Sequence, residues 1–142
     1  MHFSNCGKVS DAIKNLIHVN NIQTECIERR LSDDEMLDQY HQCDILSLIS
    51  TLEGFGMPIV EANAVGRPVI TSNTTSMPEI AGDAAMLVDP FDISSIREGF
   101  LKIIENSQLR EELVQNGLQN HLRFQPKQLA TEYAQLYYQL IK

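Results

Sequence analysis

The chain of 142 residues has no tryptophan, three cysteines, and eleven basic side chains against nineteen acidic ones. The net charge of −8 repels phosphate backbones and argues against nucleic acid as a partner, while leaving room for one local site for a small anion. Long apolar runs are also missing. The two longest, Ile45–Ile49 and Ala84–Val88, fall far short of the ~20 residues that span a bilayer. Met1-His2-Phe3-Ser4-Asn5 lacks a basic segment followed by an apolar one, so no secretory leader is expected there. Cys6, Cys26 and Cys43 are odd in number and far apart, as expected of reduced thiols in a cytoplasmic protein. The sequon Asn73-Thr74-Thr75 is accordingly coincidental. No Asp-x-Asp occurs and His2, His18, His41 and His121 are scattered, so neither a metal nor any other cofactor is expected. Gly7-Lys8-Val9-Ser10 lacks the upstream glycine of a phosphate-binding P-loop.

What remains is an ordinary globular composition, 43% apolar and 21% charged. A chain this long buries roughly 70% of its unfolded surface, enough for a core without disulfides. Short β-rich runs at Ile22–Glu28, Asp44–Ser50, Pro68–Ser72 and Ala85–Asp89 alternate with helical patterns. The first helix carries Ala12, Ile13, Leu16, Ile17 and Val19 on one side. A second opens at Ser32, where Ser32-Asp33-Asp34-Glu35 forms a capping box. A third starts at Pro58 and stops at Gly66. The alternation predicts an α/β fold, a Rossmann-like parallel sheet flanked by helices. Three helical stripes follow without a strand, through Ile93–Ile104, Leu109–Leu122 and Leu129–Ile141, with a break at Gln125-Pro126.

The informative stretch is Asp44–Ala62: a buried strand, a turn with two glycines, and a helix. It sets Glu53–Met57 at the carboxyl end of a parallel strand, where open α/β sheets bind ligands. Gly54 and Gly56 permit close backbone approach, and the N–H groups of Met57–Val60 begin a helix whose positive end suits phosphate. Glu61, in the first turn, has the chemistry to accept hydrogen bonds from ribose hydroxyls, and Glu53 to hold hydroxyls at the other end of such a ligand. A plainer alternative stands beside this: a loop carboxylate, a carboxylate favouring a helix start, and glycines that only make a turn. Glu79, after Pro78, divides in the same way between capping a short helix and touching an acceptor.

Glu53-Gly54-Phe55-Gly56-Met57-Pro58 followed by Glu61-Ala62 resembles the Glu-x7-Glu signature of glycosyltransferase family four, the retaining "group 1" transferases of the GT-B fold. Leu31–Glu35 with Tyr40, Gly66-Arg67-Pro68-Val69-Ile70, Ser72–Glu79, Gly82–Ala85, Val88-Asp89-Pro90, Leu109-Arg110, Gly117 and Arg123-Phe124 resemble other family segments in the same order. The resemblance covers Ile22–Lys142. It implies that Glu61 holds the ribose of a UDP- or GDP-sugar and that Glu53, the catalytic candidate, contacts the transferred hexose. Gly54, Phe55, Gly56, Met57, Pro58, Ile59 and Val60 would face sugar and diphosphate, and Arg30 and Leu31 the base. Relatives carry glycine where Arg29 stands.

By the same resemblance, residues 1–142 form one donor-binding domain cut at its N-terminal edge. A preceding acceptor domain, or a partner chain replacing it, and the loop whose Arg and Lys neutralise the diphosphate would be absent. The full-length protein would be a metal-independent hexosyltransferase acting on a glycan or lipid in surface polysaccharide biosynthesis, and this part alone inactive. Any peripheral membrane association would run through the absent domain. The aromatic stripe Tyr133-Tyr137-Tyr138 would then be partly exposed and promote self-association. The alternatives are a stand-alone nucleotide-sugar-binding or regulatory module without turnover, and an α/β domain that kept only the fold.

Overall fold

The structure, a computed structural model, describes residues 3–141; Met1, His2 and Lys142, and with them the start of the leader reading, lie outside the described residues. The chain forms two compact units, Met1–Asp38 and Gln39–Lys142.

In the first unit β1 (Phe3–Cys6) and β2 (Thr24–Ile27) pair in parallel, Phe3 opposite Thr24 and Cys6 opposite Ile27, around the crossover helix α1 (Asp11–Val19). Ser10 caps α1: its Oγ accepts from the Ile13 N–H at 3.4 Å, and Asp11 lies in the positive first turn. The apolar stripe Ile13, Leu16 and Val19 is exposed. Lys14 pairs with Glu28 at 2.7 Å, and that ammonium, ahead of the Val9 N–H, lowers the Glu28 carboxyl from its usual range. The capping box at α2 (Asp33–Gln42) forms as its spacing predicts: the Ser32 N–H donates to Glu35 Oε2 at 2.8 Å, and the Glu35 N–H returns to Ser32 Oγ at 3.2 Å.

The second unit is built on a parallel ladder of β3 (Leu46–Leu48), β4 (Val69–Ser72) and β5 (Ala85–Val88). Leu46 lies opposite Val69, and Val69 opposite Ala85. All four strands expected from the β-rich runs are present, each trimmed at one or both ends, and Phe3–Cys6 supplies the fifth. Every residue of β4 is buried, as befits the middle of a sheet covered on both faces. Between the strands run α3 (Met57–Ala64) and α4 (Met77–Ala81), the latter with Glu79 exposed in its first turn.

After β5 come α5 (Ile93–Glu105), α6 (Ser107–Asn120), a single 3₁₀ turn over His121–Phe124, and α7 (Pro126–Leu140). Asp92 and Asn106 cap α5 and α6 through their side chains. Leu122, read from its spacing as helical with Leu109 and Leu113, belongs to the tighter turn. Gln125-Pro126 opens α7 as expected, since proline suits a first helical position. Tyr133, Tyr137 and Tyr138 on α7 are exposed, which agrees with the exposure expected of that stripe. Cys26 and Cys43 are free thiols, and burial pushes the Cys43 thiol up. The Cys6 side chain lies outside those described. Among the described residues no helix is long and apolar enough to cross a membrane.

The core of this unit gathers Ile70, Val88, Ile103 and Leu113, with Ile45, Ile49, Met86, Ile96, Phe100 and Leu109 packed around them. Gly99 lets α5 lie directly on β4 and β5. A Cβ there would meet Val88 Cγ1 at 2.5 Å and Ile70 Cδ1 at 3.0 Å. Overpacking a core typically costs about 1–3 kcal/mol, whereas alanine in a helix gains about 1 kcal/mol over glycine. Gly99→Ala is therefore expected to lower the unfolding free energy by up to ~2 kcal/mol net, and the urea midpoint with it; an unchanged or raised midpoint would show that the sheet yields.

Arg29 grips Glu35 with two hydrogen bonds, 2.9 and 2.6 Å, and this guanidinium holds the Glu35 carboxyl at about 2, against its ordinary 4.5. A carboxylate whose folded value is depressed stabilises the fold above its unfolded value, and that stability is lost as the pH falls toward the folded one. Thermal melts between pH 4.5 and 2 should therefore decline less steeply for Glu35→Gln than for the parent chain. Equal slopes would mean that this exposed pair is fully screened.

Candidate functional site

The site begins with a requirement of β4. Thr71 and Ser72 are fully buried, so their hydroxyls need acceptors. They find them on β3 and the residues just after it. Thr71 Oγ1 donates to the Leu48 carbonyl at 2.8 Å, and Ser72 Oγ to the Ser50 carbonyl at 2.6 Å. The segment leaving β3 is thus held to β4 beyond the last ladder pair. Ser50 Oγ in turn donates to Glu53 Oε1 at 2.8 Å.

The turn after Glu53 is clamped from the loop that follows β4. Ser76 Oγ lies within hydrogen-bond reach of the carbonyls of Glu53 (3.1 Å) and Phe55 (3.2 Å), and the Glu53 N–H donates to Thr75 Oγ1 at 3.4 Å. Thr75 adopts φ +55°, an uncommon value for a β-branched residue. Gly56 sits at φ +98° as the residue before α3, a conformation that favours glycine. The Phe55 ring stays partly exposed. It packs edge-to-face on Phe124 at 5.5 Å, and the Arg123 guanidinium lies 5.0 Å from the centre of the Phe124 ring. Arg123 also donates to Asn120 Oδ1 at 2.7 Å, and Asn120 Nδ2 donates to buried Asn63 on α3 and to the Ile80 carbonyl, both at 2.9 Å. One polar chain therefore joins α3, α4, α6 and the 3₁₀ turn behind the signature.

At the start of α3 the donor supply is smaller than the expectation from sequence. Pro58 has no N–H, and the Ile59 N–H is taken by the Gly56 carbonyl at 2.9 Å. Ile59 itself is fully buried, with its side chain against Gly56. Met57 is exposed, and Pro58 and Val60 are half-buried. Glu61 is exposed and accepts one hydrogen bond, 2.6 Å from the phenol of Tyr40. Neither Glu53 nor Glu61 has an ion-pair partner among the described residues.

Glu53, Gly54, Phe55, Gly56, Met57, Pro58, Ile59, Val60 and Glu61 thus share one strand–turn–helix of the second unit. Arg30 and Leu31 lie in the first unit, on the loop before α2, where Leu31 is half-buried and Arg30 exposed. Sequence reading assigned no site role to Tyr40, Ser50, Thr75, Ser76 or Phe124. Ser50 alone carried a local signal, since Ser50-Thr51-Leu52-Glu53 repeats the Ser-x-x-Glu spacing of the capping box at Ser32. A shallow groove of about 330 Å³ lined by Gly82, Asp83, Asn116, Asn120 and Arg123 contains none of the signature residues.

The family model for glycosyl transferases group 1 matches residues 6–120. The chain belongs to that family. It is similar to the O-antigen chain mannosyltransferase B of Escherichia coli, 38% identical over 83 residues, a match covering 58% of this chain and 22% of that protein. It is also similar to the C-terminal domain of a glycosyl transferase group 1 family protein (LpcC) from Francisella tularensis, 28% identical at a TM-score of 0.68, covering 77% of this chain and 58% of that one. The crystal structure of HepE from Anabaena in complex with UDP and glucose superposes at a TM-score of 0.81 with 21% identity, covering 96% of this chain and 40% of that one. Such structural neighbours are GT-B glycosyltransferases, and the α/β fold with parallel strands flanked by helices is theirs. The chain spans about a fifth of the E. coli mannosyltransferase it matches. In this group 1 chain the signature loop is held by hydroxyls of β4 and the loop after it.

Removing one of those hydroxyls isolates the effect. Ser72→Ala leaves the Ser50 carbonyl without its donor, at an expected cost of about 1–3 kcal/mol in urea unfolding. A cost below ~0.5 kcal/mol would mean that water replaces the hydroxyl and that the Ser50 anchor is dispensable.

Proposed function

We propose that this chain is the donor-binding part of a retaining glycosyltransferase that moves a hexose from a nucleotide-diphosphate sugar to a glycan or lipid acceptor in surface polysaccharide biosynthesis. The observation that carries the reading is the pair Glu53 and Glu61, set on either side of a glycine turn at the carboxyl end of β3. Each accepts one hydroxyl hydrogen bond and keeps its second oxygen without a partner among the described residues. Carboxylates arranged so have an oxygen available to accept from sugar hydroxyls. The E. coli relative named a mannosyltransferase and the HepE complex with UDP and glucose support the substrate class.

In this reading Glu61 holds the ribose, and Glu53, the catalytic candidate, the hexose. Gly54, Phe55, Gly56 and Met57 present backbone to the sugar and diphosphate. Pro58, Ile59 and Val60 shape the helix start rather than supply several donors. Arg30 and Leu31 contact the base, Arg29 being committed to Glu35. In transfer, the acceptor oxygen bonds to the anomeric carbon as its bond to the diphosphate breaks. The acceptor proton leaves with the diphosphate on the same face of the sugar. Catalysis is then positioning and charge stabilisation, with no bridging metal. An acceptor domain, in the same polypeptide or a partner chain, completes the enzyme in the cytoplasm, and this part alone does not turn over.

Calorimetric titration of the chain with UDP, GDP and ADP, repeated with Glu61→Ala and Glu53→Ala, tests the assignment. One nucleotide is expected to bind, to lose most affinity in Glu61→Ala, and to bind Glu53→Ala almost unchanged, while the corresponding nucleotide sugar binds Glu53→Ala more weakly. Equal losses for nucleotide and nucleotide sugar in Glu53→Ala would contradict its role. Unaltered binding in a folded Glu61→Ala chain would contradict the other.

A further inference from the structure

We infer that Tyr40, through its hydroxyl on Glu61, is a positioning residue that sets the discrimination between ribose and deoxyribose in the nucleotide. The inference rests on the proposed role of Glu61 in holding ribose, and goes beyond it by naming what makes that carboxylate selective.

Glu61 stands in the first two turns of α3 with its backbone in the helix and its side chain exposed. An exposed glutamate has several rotamers and costs roughly 1.5–2 kcal/mol to immobilise. Tyr40, near the end of α2, is buried apart from its edge, so its ring is fixed by packing. Its hydroxyl reaches Glu61 Oε2 at 2.6 Å, the short distance of an O–H donor on an ionised carboxylate. One oxygen of Glu61 is thereby fixed on a rigid anchor. The other, Oε1, has no partner among the described residues, and the hinge between them is a planar group. Two vicinal hydroxyls on a ribose are read by such an acceptor only when its plane is set beforehand. A phenol donates without carrying positive charge, so the carboxylate keeps its acceptor strength, whereas a cationic partner would compete with the sugar.

The phenylalanine variant deletes one oxygen and keeps the packed ring. Titration of the full chain with UDP and GDP and with their 2′-deoxy counterparts reads the effect. The parent chain should prefer the ribonucleotide that it binds over its deoxy form. In Tyr40→Phe the ribonucleotide should weaken by roughly tenfold, with the deoxynucleotide nearly unchanged, so that the preference collapses. A merely structural role would weaken both nucleotides alike, and that result overturns the inference. So does an intact preference in a folded Tyr40→Phe chain.

Where Tyr40→Phe fails to fold, Glu61→Gln keeps an acceptor for the phenol while removing the charge. The ribose preference should then be reduced but measurable, and its retention in full would overturn the account. In a Glu61→Ala background Tyr40→Phe should add no further loss, and an additional loss would show that Tyr40 acts on its own. The underlying reading fails separately. If the parent chain binds a nucleotide without preferring ribose, or binds neither nucleotide while folded, Glu61 does not hold ribose and Tyr40 has nothing to position.

Discussion

A buried strand cannot carry unsatisfied hydroxyls, and the rest of the site depends on how β4 meets that constraint. Thr71 and Ser72 have no water to turn to, so they donate to the carbonyls of Leu48, at the end of β3, and of Ser50 just beyond it. The strand ladder ends at Leu48, yet the backbone stays tied as far as Ser50 because of the Ser72 bond. Ser50 is then in place to hold Glu53, three residues on. The loop after β4 adds Thr75 and Ser76 to the far side of the same turn. A packing demand in the core thus becomes a position for a carboxylate at the surface.

The carboxylates of the chain divide by partner, and the partner decides what each has left to offer. Glu35 and Glu28 face cations. Arg29 and Lys14 occupy them and lower their proton affinity, and these groups serve the first unit's fold. Among the described residues, Glu53 and Glu61 accept only from neutral hydroxyls through their side chains. An uncharged donor orients a carboxylate without cancelling its charge, which leaves it free to accept from a ligand. In a chain of net charge −8 such groups raise the local negative potential, so an anionic ligand needs backbone donors or cations to offset them. The start of α3 is a weak source, with proline at the second helical position and the Ile59 amide already bonded. That shortage is the physical reason for expecting cationic help from outside this segment.

Much of this was legible in the sequence, because the signals were local. The alternation of β-rich and helical periods gave the order of elements, and Ser32-x-x-Glu35 gave a cap that forms bond for bond. Gly56 before Pro58 marked the start of α3 to within one residue. The contacts that finish the site were not legible. Tyr40 and Glu61 are 21 residues apart, and Phe55 and Phe124 are joined only by the fold. Neither pair leaves a periodicity or a spacing to read. The donor count at α3 was overestimated because a helix start in sequence does not show which amides bond back to the turn. Gly99, too, owes its role to the fold: it is the place where α5 touches the sheet.

The signature turn itself shows how a glycine-rich loop is made to hold one shape. Gly54 and Gly56 lose much backbone entropy on ordering, which by itself favours a mobile loop. Opposing this are the hydroxyl bonds to Glu53 and Phe55 and the edge-to-face contact of the Phe55 ring with Phe124. Phe124 is itself covered by Arg123, whose guanidinium is anchored through Asn120 to Asn63 in the helix that the turn begins. The restraint therefore closes on itself: the turn holds the aromatic pair, the pair is backed by the arginine, and the arginine is tied to α3. A loop restrained in this way gives up its entropy on folding rather than on binding, so a ligand meets an acceptor geometry already set. Glycine contributes backbone access, and its neighbours contribute the rigidity that glycine lacks.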